Sequence, residues 1–173
     1  DGAKQRIGWT LIGQSQFDLA AYGEAEKAYA HALALTAPSA TEYADVTERL
    51  AAAVYRQGEA RRQAGDESGA ADDFLRVARA APGSKIVATA QYDAAAAMLA
   101  LKDWDGAART LEDFRSRYPR HPLQGAVAGK LAARFAAGRG VNPWIIGWGM
   151  LPRGQGAEIS AAAGRSATSA RPY

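Results

Sequence analysis

AAAVYRQGEARRQAGDESGAADDFLRVARAAP, residues 51–82, and ATAQYDAAAAMLALKDWDGAARTLEDFRSRYP, residues 88–119, carry one pattern in one order. Counted from Ala51, the first places Gly58 at position 8, Gly65-Asp66 at a turn, Ala70 at position 20, Phe74 at 24 and Pro82 at 32. Counted from Ala88, the second places Ala95, Asp103-Trp104, Ala107, Leu111 and Pro119 at the corresponding places. Small residues recur where two helices must come close, and bulky ones where the gap needs filling. A third window, from Arg6, puts Trp9 at position 4, Gly13 at 8, Phe17 at 12, Tyr22 at 17, Ala25 at 20, Tyr29 at 24 and Ala32 at 27. Pro38 follows at position 33. One such window would describe any amphipathic hairpin; three that agree in spacing identify a tandem repeat.

The signals around the windows predict helices near 4–19, 22–36, 40–64, 67–80, 85–101, 104–117 and 122–137. Ser39-Ala-Thr-Glu42 reads as a capping box before a long helix carrying Tyr43, Val46, Leu50 and Val54. Asp66 and Asp103 sit where second helices should begin, as N-caps, and Ser84 can cap the helix after Pro82-Gly83. No stretch of useful length alternates with period two, so no sheet is expected. A fourth repeat starts with Val127, Leu131 and Phe135 and then breaks at the glycines and prolines of 138–152. The expected organisation is therefore a helical repeat domain over 1–138 and an irregular Gly/Ala/Arg-rich tail over 139–173. That tail is either disordered or folded back through Trp144, Ile145, Ile146 and Trp148 as a terminal cap.

A chain of 173 residues fits one domain. With no cysteine, disulfides and thiolate metal sites play no part. The longest strongly apolar run, Trp144 to Leu151, holds two glycines and is too short to span a bilayer. No basic-then-apolar leader follows Asp1, as in a mature or excised piece of a longer protein. The net charge of +3 divides unevenly: residues 1–114 hold 12 Lys/Arg against 17 Asp/Glu, and residues 115–173 hold 9 against the single acid Glu158. The body is mildly acidic and the end basic.

Residues 6–138 resemble the tetratricopeptide-repeat superfamily. Within it, Ala107 to Pro122, with Phe114, Tyr118-Pro119 and Pro122, resembles the signature of bacterial envelope repeat proteins of the Tol–Pal periplasmic-partner and outer-membrane assembly lipoprotein kind. The resemblance implies an all-α fold, an α-solenoid of antiparallel helix pairs with about three repeats and a partial fourth helix. It also implies a non-catalytic adaptor role and a periplasmic or outer-membrane-associated setting, with the cytoplasm as the alternative. In that superfamily, positions 2, 5, 9, 12 and 13 of each first helix line a concave groove. Carried over, they include Gln14 and Phe17 in repeat one, Tyr55, Glu59 and Arg62 in repeat two, and Tyr92, Ala96 and Leu99 in repeat three. Gln14, Glu59 and Ala96 at position 9 do not reproduce the lysine and asparagine clamp that holds chaperone carboxylates. Tyrosine recurs instead at position 5, as Tyr55 and Tyr92, offering rigid apolar area with one hydrogen bond. Those rings either face a ligand or pack between neighbouring helices.

Catalytic, metal and cofactor chemistry finds no constellation. His31 and His121 fall on different elements and read as surface or turn residues. Gly125 to Lys130 lacks the spacing, the hydroxyl residue and the preceding strand of a phosphate loop. Asp72-Asp73 and Glu112-Asp113 are adjacent acids on helices and read as solvated faces. The reading is thus a scaffold for a protein or peptide partner, with Gln14, Phe17, Tyr55, Arg62 and Tyr92 as candidate contacts. The alternative is a binder of nucleic acid or anionic surfaces through Arg115, Arg117, Arg120, Lys130, Arg134 and Arg139. Against it, aromatic rings are not interleaved with those charges as stacking platforms would be.

Overall fold

The computed structural model describes residues 2–136. The expected tail, with its cap reading, lies outside the described residues. Among these there are seven helices and no strand: α1 (Gly2–Asp18), α2 (Tyr22–Ala34), α3 (Tyr43–Gln63), α4 (Glu67–Ala80), α5 (Ile86–Ala100), α6 (Trp104–Arg117) and α7 (Gln124–Ala136). The chain divides into a unit spanning Asp1–Val127 and a second beginning at Ala128, of which the later part of α7 is described. In the first unit each helix from α1 to α5 packs on the next in sequence, and α3 also touches α5. This is an α-solenoid of helix pairs.

The volume match at positions 8 and 24 holds each pair together. Tyr29, Phe74 and Leu111 are fully buried at position 24, and Ala25, Ala70 and Ala107 at position 20 have no exposed surface. A Cβ added to Gly13 would lie 2.6 Å from the Tyr29 ring, and one added to Gly58 would lie 2.7 Å from the Phe74 ring. Only glycine admits a ring that close. In repeat three the buried residue at position 8 is Ala95, and the residue facing that place in the pattern is the smaller Leu111.

The three turns inside the pairs share one geometry. Ala20, Gly65 and Lys102, all at position 15, adopt positive φ of 58°, 82° and 62°. In each, two backbone N–H groups reach back to close the helix: Gly65 N to Arg62 O and Asp66 N to Arg61 O, for example, at 3.0 and 2.9 Å. Lys102 N to Leu99 O and Asp103 N to Met98 O repeat the arrangement, as do Ala20 N to Phe17 O and Ala21 N to Gln16 O. This is the Schellman ending, whose left-handed residue is usually glycine. The next residue caps the following helix. The Asp66 carboxylate accepts from Gly69 N at 2.8 Å and Asp103 from Gly106 N at 2.9 Å, as expected. Ala21, in the same backbone conformation, supplies no such bond.

Two expectations are corrected. The capping box at Ser39–Glu42 does not form: α3 starts at Tyr43, and Glu42 makes no side-chain cap bond. Glu42 instead takes hydrogen bonds from Arg6 and from Thr41, which draws its carboxylate outward. Asp73 is not on a solvated face. It is 5% exposed and sits against Arg61 (2.8 Å) and Arg76 (2.9 Å). Arg76 also pairs with Glu26 of α2, and Gln57 of α3 donates to the same Glu26 at 2.7 Å. These groups join α2, α3 and α4 through charge, which helical periodicity alone does not reveal. Ser84 does serve the start of α5: its Oγ accepts from Ile86 N at 3.1 Å while donating to Glu48 of α3 at 2.7 Å.

Candidate functional site

The first helices of the three pairs, α1, α3 and α5, bring the candidate contacts into two groups. Between α1 and α3, Gln14 is the hub. Its Oε1 accepts from Arg49 (2.6 Å) and from the Tyr29 hydroxyl (3.4 Å), and its Nε2 donates to Asp18 (2.8 Å). Arg49 also donates to Asp45 at 2.8 Å. Burial, only partly countered by Arg49, raises the pKa of the Tyr29 phenol. Phe17 is half-buried against the core, edge-on to Tyr22 with the ring centroids 5.2 Å apart.

Between α3 and α5, Asp93 is the hub. The Tyr55 hydroxyl donates to Asp93 Oδ2 at 2.6 Å, and the Arg62 guanidinium lies 3.6 Å from Oδ1. Both residues also lean on Phe74. The Tyr55 ring is 5.1 Å away, and Arg62 stacks over the face at 5.0 Å, a cation–π placement. Burial first, and then the hydrogen bond to the Asp93 carboxylate, push the Tyr55 phenol well above its ordinary value. Tyr92, also half-buried, meets Phe114 edge-on at 6.4 Å. Tyr55 and Tyr92 therefore each combine inward packing with an outward edge.

Asp93 is the residue that sequence reasoning missed. Its signal was available: it is the one charged residue in α5, whose other residues are apolar or neutral. It lies at position 6, beside the groove positions and not among them, so the carried-over pattern passed over it. The histidines sit against rings: His31 is stacked on Trp9 at 4.6 Å, and His121 meets Phe114 edge-on at 5.3 Å. Among the described residues no group of acids and histidines is placed to hold a metal ion. Of the basic candidates, Arg117 is paired with Asp113 at 2.8 Å, Arg120 is exposed in the α6–α7 connection, and Lys130 lies on α7.

Helix pairs stacked one on the next in sequence define the class of helical repeat proteins. The family model of the tetratricopeptide repeat matches residues 52–84 and 89–121, which take in the later part of α3 with α4 and most of α5 with α6. Over those segments the chain carries tetratricopeptide repeats, and α1–α2 repeats the same turn and the same glycine-under-ring contact. No curated protein and no solved structure matches the chain. Repeats of this superfamily generally mediate protein–protein interactions.

Proposed function

We propose that the chain is a non-catalytic scaffold that binds a peptide or helix of a protein partner along the surface of α1, α3 and α5, in a bacterial cell envelope. The observation that carries this reading is the Asp93 cluster. Tyr55, Arg62 and Asp93 hold α3 against α5 while leaving rigid aromatic edges and a guanidinium at the rim, the residue types enriched at binding hot spots. The neighbouring positions of α5, Ala96, Leu99 and the exposed Ala100, leave room for a bound chain. Arg62 favours an acidic group in that chain, tempered by Glu59, which is itself paired with Arg56. The Tyr-Pro signature near 118–122 supports the envelope setting. No described helix is long and apolar enough to cross a membrane.

Affinity capture from a Gram-negative envelope fraction, with wild type and Ala100→Arg side by side, tests the proposal. A partner held by wild type and released by a bulky charge at Ala100, with folding unchanged, is the expected result. A partner captured equally by both proteins would move the binding surface elsewhere.

A further inference from the structure

α5 begins without a carboxylate of its own. Lys85, which precedes it, makes no side-chain cap bond, and its first turn holds no acid. The first turns of α2, α3, α4 and α6 carry Glu24, Asp45, Glu67 and Asp105. The carboxylate for α5 comes from α3. Glu48 Oε1 accepts from Lys85 N at 2.9 Å and Oε2 from the Ser84 hydroxyl at 2.7 Å, while Ser84 Oγ accepts from Ile86 N at 3.1 Å. Such a group satisfies N–H donors that a helix start leaves orphaned, and it lies at the positive end of the helix dipole. Asp66 and Asp103 serve α4 and α6 from the residue just before each helix, which fixes no tertiary geometry. Glu48 acts from another repeat and so ties the start of α5 to α3.

Glu48, Tyr55 and Arg62 follow one another on α3 at intervals of seven residues. Seven residues fall only about 20° short of two full turns, so the three share one stripe. Tyr55 and Arg62 both reach Asp93. One stripe of α3 therefore holds α5 at its start and again at Asp93. Between those points α5 buries Val87, Ala88 and Ala90. A run of small residues packs almost as well when shifted, whereas hydrogen bonds to a charged group fix one register. We propose that Glu48 is a positioning residue. By holding the start of α5, it sets the register in which Asp93 meets Tyr55 and Arg62, and with it the shape of the rim. Its bearing on partner binding rests on the function proposed above; the positioning itself does not.

A double-mutant cycle on the full chain, with no partner present, tests the proposal by chemical denaturation. Glu48 and Tyr55 lie about 10 Å apart along the helix, and their hydrogen bonds go to different residues. Losses at two merely structural sites so placed would add. Positioning predicts coupling instead: the fall in denaturation midpoint caused by Tyr55→Phe shrinks to less than half in the Glu48→Ala background. Glu48→Gln can still accept from Lys85 N and can donate to Ser84 Oγ, so it restores most of the Tyr55→Phe effect. If Glu48→Ala does not fold, Ser84→Ala replaces it; that change removes one of the two hydrogen bonds to Glu48 and shrinks the effect by a smaller share. An undiminished Tyr55→Phe effect in the Glu48→Ala or Ser84→Ala background overturns the proposal. Coupling that glutamine does not restore also overturns it, by assigning the effect to the charge of Glu48 and not to its grip on α5. Because no partner enters the cycle, a failed capture experiment counts against the proposed function and leaves this result standing.

Discussion

Glycine under an aromatic ring is the contact on which each of the first two repeats closes. Gly58→Ala places a Cβ 2.7 Å from the Phe74 ring, so it should cost about 1–3 kcal/mol by overpacking. Repeat three has Ala95 and Leu111 in the matching places, which suggests the remedy. Adding Phe74→Leu to Gly58→Ala should recover part of the loss, although Phe74→Leu alone destabilises; chemical denaturation of the four proteins measures this coupling. Equal, additive losses would show that the two positions do not share a contact. Tyr55 gives a pH test. Its phenol ionises less readily in the fold than at its ordinary value of 10.0, because burial and the Asp93 carboxylate favour the neutral form. A raised folded pKa means the stabilisation is complete below 10 and is lost as pH rises through the folded value. The stability difference between wild type and Tyr55→Phe should therefore narrow on going from neutral pH to above 10. The small-and-large alternation was legible in the sequence because it repeats. Asp73 was not, because a buried acid is identified by Arg61 and Arg76, which approach from α3 and from one turn along α4.

Turn geometry belongs to the element scale, and there the sequence was nearly complete. Helix starts at Glu67 and Trp104 follow from Asp66 and Asp103, whose carboxylates cap backbone N–H groups three residues on. Asp103→Ala should cost about 1 kcal/mol for that reason, read as a lower denaturation midpoint. The left-handed residue was visible only at Gly65. Ala20 and Lys102 hold the same conformation with a Cβ in the way, at a cost of about 1–2 kcal/mol each. Lys102→Gly should thus raise stability by up to about 1 kcal/mol after the entropic penalty of glycine, whereas Gly65→Ala should lower it. A Lys102→Gly protein that melts earlier would mean that the lysine side chain holds the turn together. The failed capping box has a similar lesson. Ser39 and Glu42 have the right spacing, but the Glu42 carboxylate is bound by Arg6 of α1, which lies outside the motif, and by its neighbour Thr41.

At the scale of the whole molecule, α3 lies against α5 across α4, and α1 reaches α3 through the Gln14–Arg49 hydrogen bond. The repeat spacing made this order readable, and the family match at 52–84 and 89–121 falls within one residue of windows counted from Ala51 and Ala88. Which side chains tie these helices together was less readable, since Asp93 and Arg49 act across helices far apart in sequence. On the proposed function, the surface of α1, α3 and α5 binds a protein partner through the rim around Tyr92 and Arg62. The direct measurement is a titration of the captured partner against wild type, Tyr92→Ala and Arg62→Ala, with a melting curve for each protein. Affinity should fall about tenfold or more in each variant, equivalent to about 1.4 kcal/mol, while the melting temperature changes far less than for Gly58→Ala. Full affinity in both variants, or losses that follow melting temperature across all of them, would contradict the claim.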